Sequence, residues 1–393
     1  MDAKRFRKHS PGRLVRAMAL SDADDGILAF VPDSLPPQLK LTNELFNSTS
    51  RVANALGRLQ GIAGALPDPK ILIRTFVRRE AQLSSYIENT YAPYEAVAAA
   101  EQDERSRRNA NSDVRETLNA QRAIEAGVDA VFNHGYPVTN NLLRQMHSVL
   151  LTGVRGEECA GHFRAKQVYI GNEQDGVGGA RFVPPPPHLL NDLMGDFETY
   201  VRTEQISPAL VQIALAHYQF ETIHPFEDGN GRLGRILILL GLCQHNLLTV
   251  PLINASLHFE RHKQRYYDTL LAVSTHGDWN GWMTFFFEGL FVAASESIQK
   301  LDELLDLQRR YHDRLRSARN TALLLTLSDH LFVEPVVTIS DAARIMSVSY
   351  QAAQNSVQKL VDANILVHRL GASPATFAAN EIIKAVNPPP TAK

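Results

Sequence analysis

Residues 224–235 read HPFEDGNGRLGR and join two apolar runs, PALVQIALAHYQFETI before and RILILLGLCQ after. Leu210, Ile213, Ala214, His217 and Phe220 of the first run fall on one side of a helix. A polar, Gly-rich turn between two core helices puts a His, a carboxylate, an amide and two guanidiniums on one short loop. Gly229, Gly231 and Gly234 also satisfy G-x-G-x-x-G. A dinucleotide fold, however, needs a strand before that turn and an acid about 20 residues after it. Here the lead-in is helical and the later segment, HNLLTVPLIN, holds no acid. The turn therefore joins helices, and the chain reads as mainly α.

The anion-binding logic of such a loop survives. Helix N-termini carry free N–H groups and the positive end of the macrodipole. Arg232 and Arg235 are three apart and project from one side of the first turn. Two cations there oppose the dipole, a cost that a bound polyphosphate would offset. Asp228 fits as a magnesium ligand beside phosphate, or as a helix cap. His224 titrates near neutral pH and is a candidate base for an incoming hydroxyl.

These twelve residues resemble the motif H-[PF]-F-x-[DE]-G-N-G-R-x-x-R of the Fic family, and every fixed position is met. Fic proteins are mostly nucleotidyltransferases that move AMP from ATP to a protein hydroxyl. The resemblance implies His224 as base and Asp228 as the Mg2+ ligand. It implies that Asn230 and the amides of Gly229, Gly231, Leu233 and Gly234 hold the α-phosphate. Arg232 would then take the β-phosphate and Arg235 the γ-phosphate.

Composition bounds the rest. The chain has 393 residues, 44% hydrophobic and 21% charged, with a net charge of −2. These are ordinary values for a soluble globular protein of two or three domains. No global basic field points to nucleic acid or membrane. Cys159 and Cys243 are too few for a disulfide framework or a four-Cys zinc site, and a cytoplasmic location is expected. The N-terminus lacks the apolar core of a secretory signal, and RILILLGL is too short to span a bilayer.

Along the chain, residues 1–110 are read as an N-terminal region. Its first forty residues are basic, Pro-broken and expected to be irregular, a strap across the next domain. Helices are expected over 41–66 and about 70–89. In the second, Ser84, Glu88 and Asn89 match the inhibitory pattern [S/T]-x-x-x-E-[G/N] of Fic proteins. The resemblance implies that Glu88 pairs with Arg235 and blocks the γ-phosphate position. One long helix is expected from Tyr94 to about Gly127.

The catalytic core is placed at 111–292. Within it, residues 165–183 read as a β-hairpin with a Gly-rich tip. The resemblance implies a flap beside the active site that adds a strand of the target protein to its edge. It implies that Val168, Tyr169, Ile170 and Gly171 lie along the nucleotide, and that Tyr266 and Tyr267 pack on adenine or ribose. His217, Glu221 and His224 could suggest a metal trio, but HExxH is absent and His224 lies past the helix end. A connecting helix is expected at 293–319. Residues 320–393 resemble a winged helix-turn-helix, with five Lys+Arg against five Asp+Glu. Such neutrality disfavours DNA binding and favours a protein contact or a homodimer.

The expected protein is an all-α enzyme with one flap hairpin and a C-terminal winged helix, using Mg-ATP to adenylylate a Ser, Thr or Tyr of a target, with Glu88 as inhibitor. Two other readings stay open. One is a different transfer or the removal of AMP; the other is a winged-helix transcription regulator with a Fic sensor domain.

Overall fold

The computed structural model of the chain describes residues 2–17, 26–39, 42–64, 70–102, 104–171, 179–203, 207–316, 321–369 and 375–386. Two strands open it, β1 (Gly12–Arg16) and β2 (Leu28–Pro32), paired antiparallel with Leu14 opposite Phe30. They replace the expected irregular strap. GRLVR and LAFVP are β-formers, and Pro32 stands at a strand end, where its missing N–H costs nothing.

Helices follow: α1 (Asn43–Gly64), α2 (Lys70–Ile87), α3 (Tyr94–Gln102), α4 (Glu104–Arg108), α5 (Ser112–Val128) and α6 (Asn140–Leu151). The single helix expected over 94–127 is thus three. Asn111 explains the last break: its side chain accepts from Val114 N and starts α5 as an N-cap. Next come α7 (Leu190–Arg202), α8 (Ala209–Ile223), α9 (Asn230–Gln244), α10 (Ser256–Arg261) and α11 (Lys263–His276).

The helix α12 (Trp279–Leu315) runs unbroken for 37 residues. Residue 293, the expected start of a separate connecting helix, lies inside it. One buried stripe explains the continuity, passing from Phe286 and Leu290 to Leu301, Leu304 and Tyr311. Beyond it lie α13 (Thr321–His330), β3 (Val336–Thr338), α14 (Ile339–Met346), α15 (Tyr350–Asp362), β4 (Val367–Arg369), β5 (Thr376–Ala378) and α16 (Asn380–Val386). The small sheet has order β3-β5-β4, all antiparallel. The sequence reading expects helix, turn, helix and wing strands here; α13 and β3 precede them in addition.

The core is organised around α8 and α9. Twelve of the fifteen residues of α8 are buried, so it is a central helix and not an amphipathic surface one. α1 lies along α12, while α2 packs on α5 and α10. Among the described residues, no helix is long and apolar enough to cross a membrane.

The expected flap is reduced to one isolated bridge, Ile170 to Phe182, closed by two hydrogen bonds of 2.9 and 3.0 Å. Residues 172–178, its tip, lie outside the described residues. The flap does not stand alone, because Phe30 N donates to Val183 O at 2.9 Å. Ala29, Val15 and Tyr169 pack with Val183 in one cluster. Phe30, Leu14 and Ile170 pack with Phe182 in another. Side chains alternate across strands, so these clusters lie on opposite sides of the backbone where one hydrogen bond joins the N-terminal hairpin to the flap.

Candidate active site

α8 ends at His224, whose backbone is left-handed at φ 51° and whose amide donates to Phe220 O at 2.9 Å. A non-Gly residue in that region is costly and must be held by its surroundings. Arg164 holds it. The buried guanidinium donates to the carbonyls of His224 (2.8 Å), Pro185 (2.6 Å) and Lys166 (3.1 Å). Its own backbone N–H donates to Pro225 O at 2.9 Å. Burial lowers the Arg164 pKa to about 10, which leaves it charged at neutral pH.

The His224 ring places Nδ1 3.3 Å from Glu221 O. A carbonyl can only accept, so Nδ1 carries the proton and Nε2 is left as the acceptor. Burial, then the nearby Arg164, lower the imidazole pKa to about 4. At neutral pH the ring is therefore neutral, with Nε2 able to accept a proton.

The loop behind it is closed by Asn230. Its Oδ1 accepts from Phe226 N (2.9 Å) and its Nδ2 donates to Phe226 O (2.8 Å). His147 braces the loop from α6. Gly161 N donates to its Nδ1 (2.8 Å), so Nε2–H donates to Asp228 O (2.9 Å). Its ring stacks on Phe226 at 3.8 Å. Gly229 turns the chain at φ 77°, and no side chain caps α9. The first-turn amides of α9 thus remain available to an anion.

Asp228 sits at the mouth of this turn. Its Oδ1 accepts from Gly229 N at 2.6 Å and its Oδ2 from Arg155 at 3.0 Å. Burial works against the ionised form. Arg232, the Gly229 amide and Arg155 outweigh it and hold the carboxyl below its usual value. This is a lone, ionised carboxylate beside an amide cradle.

The two arginines of the first turn are both buried. Arg232 donates to Glu116 of α5 at 3.0 Å and lies 3.6 Å from Asp228. Arg235 reaches α2 instead. It donates to Ser84 Oγ (2.9 Å), Ser84 O (3.0 Å) and Glu88 Oε1 (2.7 Å). Glu88 caps that contact from the turn after α2, where Asn89 is left-handed at φ 61°. Lys263 donates to Asn89 Oδ1 at 2.7 Å. A Cβ on Gly231 would come within 2.3 Å of Glu88 Oε1, and one on Gly234 within 2.3 Å of Glu221 Oε1. The two glycines therefore make room for two carboxylates around Arg235. Burial pushes the Glu221 pKa up to about 7.

His224, Asp228, Arg232, Arg235, Ser84 and Glu88 lie together around the start of α9. Three expectations change. The Asn230 side chain is spent on Phe226, so only its backbone N–H is offered to a phosphate. Tyr266 is 1% exposed, and its hydroxyl meets His217 Nε2 at 2.8 Å; that ring is core, not a nucleotide contact. Tyr267 remains half-buried near the site, its hydroxyl donating to Ile87 O at 3.4 Å. Tyr169 and Ile170 point into the sheet clusters with the N-terminal hairpin, which leaves backbone and the neighbouring Val168 and Gly171 for the site.

His217 spends its other nitrogen on Gly234 O at 2.8 Å, which removes it from any metal trio. Sequence reasoning missed Arg164, His147 and Glu116. Each acts through partners far away in the chain, so no local pattern marks it.

Residues 137–242 match the Fic/DOC family profile, and residues 46–129 match Fic/DOC family N-terminal. The chain is 41% identical over 78 residues to a probable protein adenylyltransferase of Aquifex aeolicus, covering 20% of this chain and 24% of that one. It is 35% identical over 120 residues to the protein adenylyltransferase Fic of Aedes aegypti, covering 30% and 21%. The matched stretches thus span about a quarter or less of these relatives. A Fic family protein from Desulfovibrio desulfuricans G20 superimposes with TM-score 0.57 at 21% identity, covering 88% of this chain and 98% of that one. Fic-1 from C. elegans superimposes at 0.52 and 17% identity, covering 66% and 75%. At such identities the likeness concerns the fold.

Proposed function

We propose that this chain, a Fic-domain protein, is a protein adenylyltransferase that moves AMP from Mg-ATP to a Ser, Thr or Tyr hydroxyl of a target. The observation that carries the reading is the seat of Arg235. A buried guanidinium at the end of an uncapped helix start is held by Ser84 and Glu88 of another helix. A γ-phosphate would replace Glu88 there, charge for charge, with the β- and α-phosphates lying over the first-turn amides and Arg232. Glu88 thereby holds the free protein in an inhibited state.

The chemistry follows from the groups present. His224 Nε2 takes the proton of the target hydroxyl. That oxygen forms a bond to the α-phosphorus while the bond from the α-phosphorus to the bridging oxygen breaks, and pyrophosphate leaves. The α9 amides and Arg232 stabilise the charge that develops. Arg164 keeps His224 in its left-handed turn, so the base need not reorganise. A magnesium ion, when bound with the nucleotide, would sit on Asp228 and offset phosphate charge. The ionised Asp228 fits that role, since the exposed Arg155 that caps it can swing away. The target would dock on the flap edge near 168–171 and bring its hydroxyl to His224.

The test is incubation with ATP labelled at the α-phosphate or at the γ-phosphate. Retention of the α-label alone, stronger in Glu88→Gly and absent in His224→Ala, is the expected result. Retention of the γ-label would make it a phosphotransferase and overturn the reading.

A further inference from the structure

The inhibitory helix α2 is gripped at its other end by the C-terminal domain. Thr75 Oγ1 donates to Phe332 O at 3.0 Å in a buried contact. Arg74 donates to Glu334 at 3.0 Å. Both acceptors lie in the short segment between α13 and β3. Phe332 is itself buried and packs on Tyr311 of α12, ring centroids 5.9 Å apart. Beyond the inhibitory turn, Arg369 of β4 pairs with Glu95 of α3 at 2.6 Å. The C-terminal domain therefore holds the chain on both sides of Glu88, at 74–75 and at 95.

Between these holds α2 is a rigid element. Thr75 and Glu88 are 13 residues apart, about 20 Å along a helix. Asn254 Nδ2 donates to Phe76 O at 2.9 Å, and Ser256 N donates to the buried Glu80 carboxyl at 3.1 Å. These keep the middle of α2 on α10. Because α2 is one unbroken helix, a tilt at Thr75 about these contacts is carried to Ser84 and Glu88. Small displacements there suffice, because the contact with Arg235 is made of three directional hydrogen bonds.

From this we infer that the C-terminal domain sets the strength of the inhibition: its hold on Arg74, Thr75 and Glu95 keeps Glu88 on Arg235, and loosening that hold frees the γ-phosphate position. The domain is a regulator of the active site through α2, whatever ligand or partner it meets on its outer face. The inference rests on Glu88 being the inhibitor.

Three full-length variants test it: Thr75→Val, Glu334→Gln and Glu88→Gly. Thr75→Val and Glu334→Gln should each raise α-labelled AMP incorporation at least threefold over wild type. Combined with Glu88→Gly, they should add nothing to it. In parallel, hydrogen exchange of the amides of 83–88 should quicken in both. If Glu88→Gly is active while Thr75→Val and Glu334→Gln match wild type in labelling and exchange, the inference fails. A rise that persists on the Glu88→Gly background also overturns it, since the effect would bypass Glu88. Should Glu88→Gly itself be silent, the inhibition model fails instead, and exchange at 83–88 alone decides the grip. Glu334→Gln touches only an ion pair and keeps the test open if Thr75→Val folds poorly.

Discussion

Arg232 and Arg235 occupy the same helix turn, carry the same charge and are equally buried, yet their surroundings differ. Arg232 is answered from within the core, by Glu116 of α5 and by Asp228 of its own loop. Arg235 is answered by the buried Ser84 of α2 and by Glu88 in the turn after that helix. Glu116 is nearly buried, whereas the Glu88 side chain is 35% exposed. The first pair belongs to the fold. The second joins α9 to the half-exposed turn after α2, and under the proposed function it is the one a γ-phosphate would replace.

The comparison can be broken most sharply at His224, the proposed base. On the Glu88→Gly background, His224→Ala should lower AMP incorporation by about 10²–10⁴; an unchanged rate would sink His224 as the base. Next in size, Glu88→Gly alone should raise incorporation about tenfold or more, which a time course with labelled ATP would read. If Glu88 were merely structural, the two rates would coincide.

The two carboxylates should also separate in stability. Glu116→Ala strands a buried guanidinium and should cost about 3 kcal/mol. Glu88→Gly leaves Arg235 with both Ser84 contacts and should cost about 1 kcal/mol or less. Equal melting temperatures would erase the distinction drawn here. The smallest effect is one of shape. His224 is lowered to about 4 by burial and then Arg164. A base must be neutral, so a lowered pKa preserves activity as pH falls. The kcat/KM of Glu88→Gly should therefore hold from pH 7 to about 5 and fall on approach to 4. An acid limb centred near 6.5 would show that His224 is solvated in the working enzyme.

Much of this was legible in the sequence, and the reason is local. His224, Asp228, Arg232 and Arg235 share one turn, and Ser84 and Glu88 share one helix end, so spacing alone aligns them. The supports were not. Arg164 works through carbonyls at 166, 185 and 224, His147 through Asp228, and Glu116 through Arg232, each across helices whose packing no pattern encodes. Tyr266 was misplaced because adjacent tyrosines differ only in which one faces the core. The N-terminal hairpin was hidden by its prolines and basic residues, although GRLVR and LAFVP are strand-like when read alone.

The unbroken α12 has a consequence of its own. Its 37 residues span about 55 Å and fix angle as well as distance. The C-terminal domain is indexed to the core by helical phase. One residue inserted on its exposed side near 309–310 would turn everything beyond by about 100° and swing Phe332 off Thr75. Residues could be exchanged freely along that outer face, but the count between Trp279 and Leu315 could not change.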